Sequence, residues 1–254
     1  MSYSNFVILS NQVKRRAKSP NFNPLYRQIK ALILQSLSSG EWKPGTMIPS
    51  EIELAAQFGV SQGTVRKAID ELSAEKLLLR LQGKGTFVVS HSDEPYRFLR
   101  LYPDDGSSPQ KHYQPLLCEH VAADTRVAGA LACPEGDSVV KVERILLFND
   151  EAVVFDQIFL SGNGLDGLTL DILCQEQRPL YSMLEWRFGV RIIRAREKLR
   201  AIAADAEIAR NLSIPVGEPL LLVERTASTY DDKTVEWRRS FYRTDRYHYL
   251  NELD

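Results

Sequence analysis

The chain has 254 residues, enough for one large domain or for two modest domains that each bury a hydrophobic core. Hydrophobic residues make up 44% and charged residues 26%, values that argue against a largely disordered or fibrous chain. The net charge is −1 at pH 7, and no apolar run reaches the roughly 18 to 20 residues of a membrane helix, so we expect no membrane partner.

The charge is divided unevenly along the chain. Residues 1–91 contain 12 Lys and Arg against 6 Asp and Glu, whereas residues 92–254 contain 20 against 27. A basic segment followed by an acidic one predicts two domains with different partners, and it makes nucleic acid a candidate partner of the first.

The cysteines and the N-terminal segment indicate the cellular compartment of the protein. The three cysteines are widely spaced and form no Cys-x-x-Cys pair, which is typical of a reduced compartment. The N-terminal segment lacks the apolar core of about 7 to 15 residues that a signal peptide needs, so we expect a cytoplasmic protein. Its basic cluster at residues 14–18 predicts a disordered tail over residues 1–21, with an arm that contacts DNA as the alternative.

The next elements in the chain predict a helix-turn-helix. Apolar residues at helical spacing predict a first helix over residues 24–39. Ser50 and Glu53 form a capping box before a short second helix, which ends at Gly59. Ser61 follows at once as the cap of a third helix. In a helix-turn-helix the second helix of the motif enters the major groove, and its first turn faces the base edges.

A β-hairpin follows directly, as in a winged helix. Strands at 77–81 and 86–89 flank a glycine-containing turn at 82–85, with a lysine at the tip that can approach the DNA backbone. Together the cap, the third helix and the hairpin predict a surface for double-stranded operator DNA. Its candidate residues are Ser50, Ser61, Gln62, Gly63, Thr64, Arg66, Lys67, Gly83, Lys84 and Thr86.

Several short motifs of this region, taken in order, resemble the GntR family of bacterial transcription regulators. The resemblance implies a DNA-binding domain over residues 22–90 and a homodimer on a two-fold-related operator. The motifs are Pro24-Leu25-Tyr26, Pro44-Gly45, Pro49-Ser50-Glu51, Phe58-Gly59-Val60-Ser61, Thr64-Val65-Arg66-Lys67-Ala68 and Gly83-x-Gly85-Thr86-Phe87-Val88.

The chain departs from the family pattern on the surface that would face DNA. GntR members usually carry Arg where this chain has Ile52 and Gln62. Gln62 can still form a bidentate pair with adenine, so we expect an altered operator or a weaker affinity. Lys76 replaces the glycine that usually follows the third helix, so the sequence does not determine the residue at which that helix ends.

The acidic half predicts an α+β domain built on an antiparallel sheet, over residues 97–254 after a polar linker at 91–96. Two hairpins, one long strand that carries Arg194, Arg196 and Arg200 on one face, and two helices make up this pattern. The hairpins cover 139–148 with 152–160 and 220–230 with 234–242; the single strand covers 190–202, and the helices cover 180–188 and 205–212.

This half is similar to the UTRA effector domain of the HutC-type subfamily. The motifs are Arg144-Ile145, Ala203-Ala204-Asp205-Ala206-Glu207 and the closing stretch from Val235 to Tyr247. The resemblance implies a fold like that of chorismate lyase, used to bind a small metabolite.

The resemblance also implies effector-binding residues, which match Arg144, Glu236 and Tyr242. Arg144 can hold a carboxylate or a phosphate, and Glu236 can accept from a hydroxyl or an amine. Strand alternation places Arg238 on the same face, as a weaker candidate. Because some members that bind phosphorylated sugars have a second cation at the position of Leu146, we expect a carboxylate-bearing effector here. The alternative is an internal Arg–Glu pair that only stabilises the sheet.

Together these features predict a metabolite-responsive transcription regulator, a repressor of a catabolic or transport operon. A transcriptional activator or dual regulator is the alternative, and an enzyme with a chorismate-lyase-like domain is a remote one. The four histidines show no metal-ligand spacing, and no cofactor motif is present, so we expect neither a metal nor a cofactor.

Overall fold

The computed structural model describes residues 23–89, 99–176 and 179–251. The predicted tail at 1–21 and the predicted linker at 91–96 lie outside these residues. Among the helices of the described segments, none combines the length and the apolar character needed to cross a membrane.

The N-terminal domain is a winged helix-turn-helix, as predicted. Three helices bury their apolar faces against one another, with Ile33, Leu54 and Ile69 at the centre of the core. The two strands of the wing pair in antiparallel fashion, with Leu81 opposite Gly85 at the turn. The elements are α1 (Leu25–Ser38), α2 (Glu51–Phe58), α3 (Gln62–Ala74), β1 (Leu78–Leu81) and β2 (Gly85–Val88).

The helix ends follow the predicted local signals. The Ser50 side chain accepts from the Glu53 backbone N–H at 3.3 Å, and the Glu53 carboxylate accepts from the Ser50 N–H at 2.8 Å. Gly59 ends α2 with a φ of 65°, a left-handed conformation that glycine adopts without strain. The prediction of a capping box and of a helix stop is confirmed.

The C-terminal domain contains a six-stranded antiparallel sheet in the order β4-β5-β6-β9-β8-β7 and a separate two-stranded pair, β3 with β10. Both predicted hairpins are present. The single strand begins at Arg194 and not at Val190 as predicted, and β3, β4 and β10 were not predicted. The strands are β3 (Leu101–Pro103), β4 (Lys111–Ala122), β5 (Ser138–Phe148), β6 (Glu151–Ser161), β7 (Arg194–Ala203), β8 (Pro219–Ser228), β9 (Thr234–Arg243) and β10 (Tyr247–Tyr249).

Helices cover both faces of the large sheet. Apolar residues of α4 and α7 pack on one face, which presents Ile145, Phe241 and Trp237. Helices α5 and α6 cover one end of the other face, and the β3–β10 pair covers its opposite end. The four helices are α4 (Thr125–Leu131), α5 (Leu170–Gln175), α6 (Leu180–Phe188) and α7 (Ala206–Leu212).

The two domains touch through a short 3₁₀ turn at Tyr230–Asp232, between β8 and β9. Tyr230 is buried and belongs to the same apolar cluster as Ile33 and Leu37 of α1. The C-terminal domain therefore contributes a side chain to the core of the N-terminal domain.

Candidate DNA interface and effector site

The predicted base-reading residues lie in the exposed first turn of α3. Ser61 caps the helix by accepting from the Thr64 backbone N–H at 3.3 Å, and the two hydroxyl oxygens are 2.9 Å apart. Gly63 faces open space, since an added Cβ would meet only the Ser61 Oγ, at 3.9 Å. The absence of a side chain at this position therefore leaves room for a close approach of DNA.

One carboxylate organises the polar side chains of this surface. Glu51 Oε2 accepts from Gln62 Nε2 at 3.3 Å and from Arg66 Nε at 2.9 Å. Glu51 Oε1 accepts from Arg80 Nη2 at 2.6 Å, and Arg80 also pairs with Asp70 at 2.7 Å. Gln62 and Arg66 were predicted from the sequence, but Glu51 and Arg80 were not, because the contact joins α2, α3 and β1.

The other predicted cation of α3 is also held in place. The Lys67 Nζ lies 4.1 Å from the ring centroid of Tyr26 on α1, within the range of a cation–π interaction. The ammonium group is thus positioned beside the helix, on the exposed side of α3.

The wing and the start of α2 complete the surface. Gly83 adopts a φ of 73° in the turn, and Lys84 is exposed at its tip. Thr86 is half-buried on β2, and its strand position pairs with Arg80. Ile52, where the family usually carries Arg, is 68% exposed, so the surface presents an apolar side chain at that point.

The effector candidates lie together on the sheet face that α6 partly covers. Arg144 on β5 stands directly opposite Asp156 on β6, and its Nε donates to Asp156 Oδ2 at 2.9 Å. Ser240 on β9 donates to Asp156 Oδ1 at 2.5 Å. Burial alone would raise the pKa of Asp156, but the charges of Arg238 and Arg144, with the hydrogen bonds from Ser240 and Arg144, outweigh it, so the pKa lies below its usual value. Asp156 is therefore ionised at neutral pH.

A second ion pair lies within β9 itself. Arg238 donates to both oxygens of Glu236, from Nε at 3.1 Å and from Nη2 at 2.9 Å. Tyr181 of α6 donates to Glu236 Oε1 at 2.7 Å, and burial, followed by the charge of Glu236, raises the pKa of Tyr181 to about 12. The Arg238 Nη1 also lies 3.5 Å from Asp156, which links the two pairs. An internal Arg–Glu pair therefore exists, but its arginine is Arg238 and not Arg144.

A third pair extends the group towards β7. Arg225 on β8 donates to Glu197 Oε1 at 2.7 Å, and Tyr249 donates to Glu197 Oε2 at 2.5 Å. Three arginines and three carboxylates thus balance in charge on one sheet face. We call this group the polar cluster: Arg144, Asp156, Glu197, Arg225, Glu236 and Arg238, with the hydroxyls of Tyr181, Ser240, Tyr242 and Tyr249.

Two members of the polar cluster keep donors available for a ligand. The Arg144 guanidinium lies 3.7 Å from the Tyr113 ring centroid, and only its Nε bonds to a described residue. The Tyr242 hydroxyl bonds to no described side chain, and burial raises its pKa, so it remains a protonated donor at neutral pH. The arrangement can therefore receive an acceptor group at Arg144 and Tyr242, with Glu236 nearby on the same face.

Asp156, Tyr181 and Arg225 were not predicted from the sequence. Asp156 and Arg225 each lie within a largely apolar strand, where a charged residue signals a buried partner. Tyr181 gave no such signal, because its contact depends on how α6 crosses the sheet. Within the described residues, no group of three or more His, Cys, Asp or Glu side chains could hold a metal ion.

The architecture defines a class of protein. A winged helix-turn-helix presents an exposed polar surface, and a second domain holds a buried polar cluster with uncommitted donors. This combination is that of a DNA-binding regulatory protein with an effector domain.

Comparisons with known proteins define the family. Residues 25–88 match the family described as bacterial regulatory proteins, gntR family, and residues 110–248 match the UTRA domain. The HTH-type transcriptional repressor NagR of Bacillus subtilis is 31% identical over 234 residues, which are 91% of this chain and 95% of that protein. The chain belongs to the gntR family of bacterial regulatory proteins and carries a UTRA domain.

Two further similarities support this assignment. The histidine utilization repressor of Klebsiella aerogenes is 31% identical over 207 residues, which are 80% of this chain and 83% of that protein. A solved ligand-binding domain of a Bordetella bronchiseptica protein assigned to the GntR family is 43% identical, with a TM-score of 0.61, and covers 63% of this chain and 99% of that one. The predicted resemblance to the HutC-type subfamily is thus confirmed.

Proposed function

We propose that this protein is a transcriptional repressor that binds operator DNA through α3 and the wing and that responds to a small metabolite at the polar cluster. The observation that carries the proposal is the pairing of an exposed helix-turn-helix with buried, uncommitted donors on Arg144 and Tyr242. Two relatives at 31% identity are named as repressors, and one of them is named for the utilization of a nutrient.

The DNA side of the proposal rests on α3. Its first turn places Gln62 beside Gly63, where an amide can reach the adenine edge, and Arg66 and Lys84 supply charge for phosphates. Helix-turn-helix regulators read palindromic half-sites as dimers, so the functional unit proposed here is a homodimer on a two-fold-related operator.

The ligand side of the proposal rests on charge balance. The polar cluster already pairs each arginine with a carboxylate, so a ligand that brings a large net charge would leave one group uncompensated. A metabolite with one carboxylate for Arg144 and a hydroxyl or amine for Glu236 matches the cluster without that cost. The Klebsiella aerogenes relative is named for histidine, a compound that carries both a carboxylate and an amine. A carboxylate-bearing effector is therefore favoured over a sugar phosphate.

Regulation requires that the effector prefer one state of the protein. A ligand that binds the DNA-released state more tightly lowers operator affinity by the same factor, with a typical coupling of 1–3 kcal/mol. Deleting the gene should therefore raise transcription from the target promoter. A loss of transcription on deletion would show an activator instead.

A thermal-unfolding screen tests the ligand side. Amino acids, hydroxy acids and keto acids form one panel and sugar phosphates form the other, and a ligand at 100 times its Kd adds about 2.7 kcal/mol to stability. Arg144→Lys should remove the response to the hit and its effect on operator binding, whereas Arg196→Lys, an exposed arginine of β7, should retain both. An unchanged response in a folded Arg144→Lys protein would refute this pocket.

A further inference from the structure

Helix α6 contacts both the polar cluster and the residues that join the two domains. Tyr181 and Glu185 stand four residues apart on this helix, and residues at that spacing share one face. Tyr181 reaches the polar cluster, and Glu185 reaches an arginine that binds the winged helix. One short helix thus links two regions that the strands of the sheet keep apart.

The first contact is at Glu236, which is 0% exposed. Arg238 holds this carboxylate with two bonds between opposite charges, at 3.1 and 2.9 Å. The Tyr181 hydroxyl donates to its Oε1 at 2.7 Å, a single bond from a neutral group. A ligand that bonds to the buried carboxylate must displace a neighbouring donor, and the neutral Tyr181 yields more readily than the paired Arg238.

The second contact lies one helical turn further along α6. Arg191 is 3% exposed; its Nε lies 3.2 Å from Glu185 Oε1, and its Nη1 donates to the Tyr230 hydroxyl at 2.9 Å. Tyr230 belongs to the apolar core of the winged helix, and Ile193 packs against that core. We call Arg191, Ile193 and Tyr230 the interdomain joint. The arginine that holds Tyr230 is therefore itself held by α6.

We propose that α6 couples the polar cluster to the winged helix. The Tyr181 bond to Glu236 keeps α6 in place, and Glu185 in turn keeps the interdomain joint closed. A ligand that replaces Tyr181 at Glu236 releases α6 and loosens the joint, so the winged helix loses its fixed arrangement on the UTRA domain. Glu236 is accessible to the ligand only in the loosened state, which supplies the difference in affinity that regulation requires. The inference rests on the proposed function, because it assigns a ligand to Glu236.

Hydrogen–deuterium exchange of the full chain tests the coupling without DNA or metabolite. Tyr181→Phe keeps the ring but removes the hydroxyl, so it reproduces the loss of the bond to Glu236. We expect amide exchange at least about threefold faster in peptides covering residues 33–42 and 228–235, on the two sides of the interdomain joint. Tyr247→Phe removes a comparable bond, from a buried tyrosine of β10 to a glutamate of β6, and should leave both peptides unchanged.

A second variant tests whether the effect passes through Tyr230. Tyr230→Phe removes the hydroxyl that accepts from Arg191 and keeps the ring in the core. If α6 acts through this bond, residues 33–42 should exchange equally fast in the double variant and in Tyr230→Phe alone, because linked interactions are not additive. Single effects that multiply in the double variant would overturn the proposal, and so would wild-type exchange in Tyr181→Phe. Since no ligand is used, a negative metabolite screen would count against the proposed function and not against the coupling.

Discussion

Glu51 and Arg66 join the two helices of the helix-turn-helix through a hydrogen bond of 2.9 Å from Arg66 Nε to Glu51 Oε2. The same carboxylate accepts from Gln62 and Arg80. The side chains proposed to contact DNA therefore hold one orientation in the free protein, and a negative charge lies within the surface that we propose contacts the phosphates. Glu51 thus weakens the electrostatic attraction to the DNA backbone but fixes the orientation of Gln62 and Arg66.

The first prediction concerns this carboxylate. Glu51→Gln removes the negative charge and loosens Arg66, so binding to scrambled DNA should strengthen while the preference for operator falls several-fold. Fluorescence anisotropy on operator and scrambled duplexes at two salt concentrations measures both quantities. Glu41→Gln, an exposed glutamate in the turn after α1, removes the same charge elsewhere. An equal loss of preference in both variants would contradict a role for Glu51 in orientation.

The second prediction concerns the departure from the family pattern at Gln62. Gln62→Arg should shift the preferred base at one operator position from adenine towards guanine, with a discrimination of about 1–3 kcal/mol, because arginine pairs with the guanine edge. Selection from a randomised duplex pool reads the change directly. Gln35→Arg adds the same charge on α1 and should strengthen binding without altering the preferred sequence. An unaltered preference in Gln62→Arg would rule out Gln62 as a base reader.

Local patterns predicted much of this fold but little of the pairing within the polar cluster. Strand alternation correctly placed Glu236, Arg238 and Tyr242 on one face. The partner of Arg144 could not be predicted from the sequence, because Asp156 lies opposite Arg144 only when β5 and β6 pair in the observed register. The same holds for Ser240, whose bond to Asp156 requires β6 to neighbour β9, a strand far along the chain.

Two of the differences between the predicted and the observed strands, at β4 and at the start of β7, have physical causes. The edge strand β4 contains Pro115 at a register irregularity and many polar residues, so its sequence lacks an apolar alternation. Residues 190–193 are apolar enough to resemble a strand, but their burial comes from other contacts. Ile192 packs with Ala227 and Val235, and Ile193 packs against the core of the winged helix. The conformation of residues 190–193 is thus set by tertiary contacts, which the local sequence pattern does not reveal.

The third prediction concerns the buried pair Arg144–Asp156. Asp156→Asn leaves arginine charges buried without their partner, so the free energy of unfolding should fall by about 3–5 kcal/mol at pH 7. The sign of the pH dependence follows from the lowered pKa of Asp156 in the folded state. Its stabilisation is fully present above the unfolded value of about 3.9 and is lost as the pH falls through the folded value.

Urea unfolding between pH 7 and acid pH checks this prediction. The wild-type protein should lose stability as the pH falls below about 4, and Asp156→Asn should show a smaller loss over the same interval. Asp137→Asn, which changes an exposed aspartate, provides the matched control and should behave as wild type does. Equal acid slopes in the wild type and in Asp156→Asn would show that the pair does not govern the acid transition.

The fourth prediction concerns the end of α3, where Lys76 stands in place of the usual glycine. Lys76 adopts a φ of 57°, donates its backbone N–H to Ser73 O at 3.0 Å, and is followed by a bond from Leu77 N to Leu72 O at 2.9 Å. These bonds form a Schellman motif, whose left-handed residue is strained when it carries a Cβ. Relief of that strain outweighs the greater entropy of glycine in the unfolded chain, so Lys76→Gly should stabilise the protein by about 0.5–1 kcal/mol. The gain appears as a higher urea midpoint at an unchanged m-value. Lys233, whose φ is −65°, is the control position, and Lys233→Gly should destabilise the protein.

If Lys76→Gly also destabilises the protein, the interactions of the Lys76 side chain contribute more to stability than the backbone strain costs.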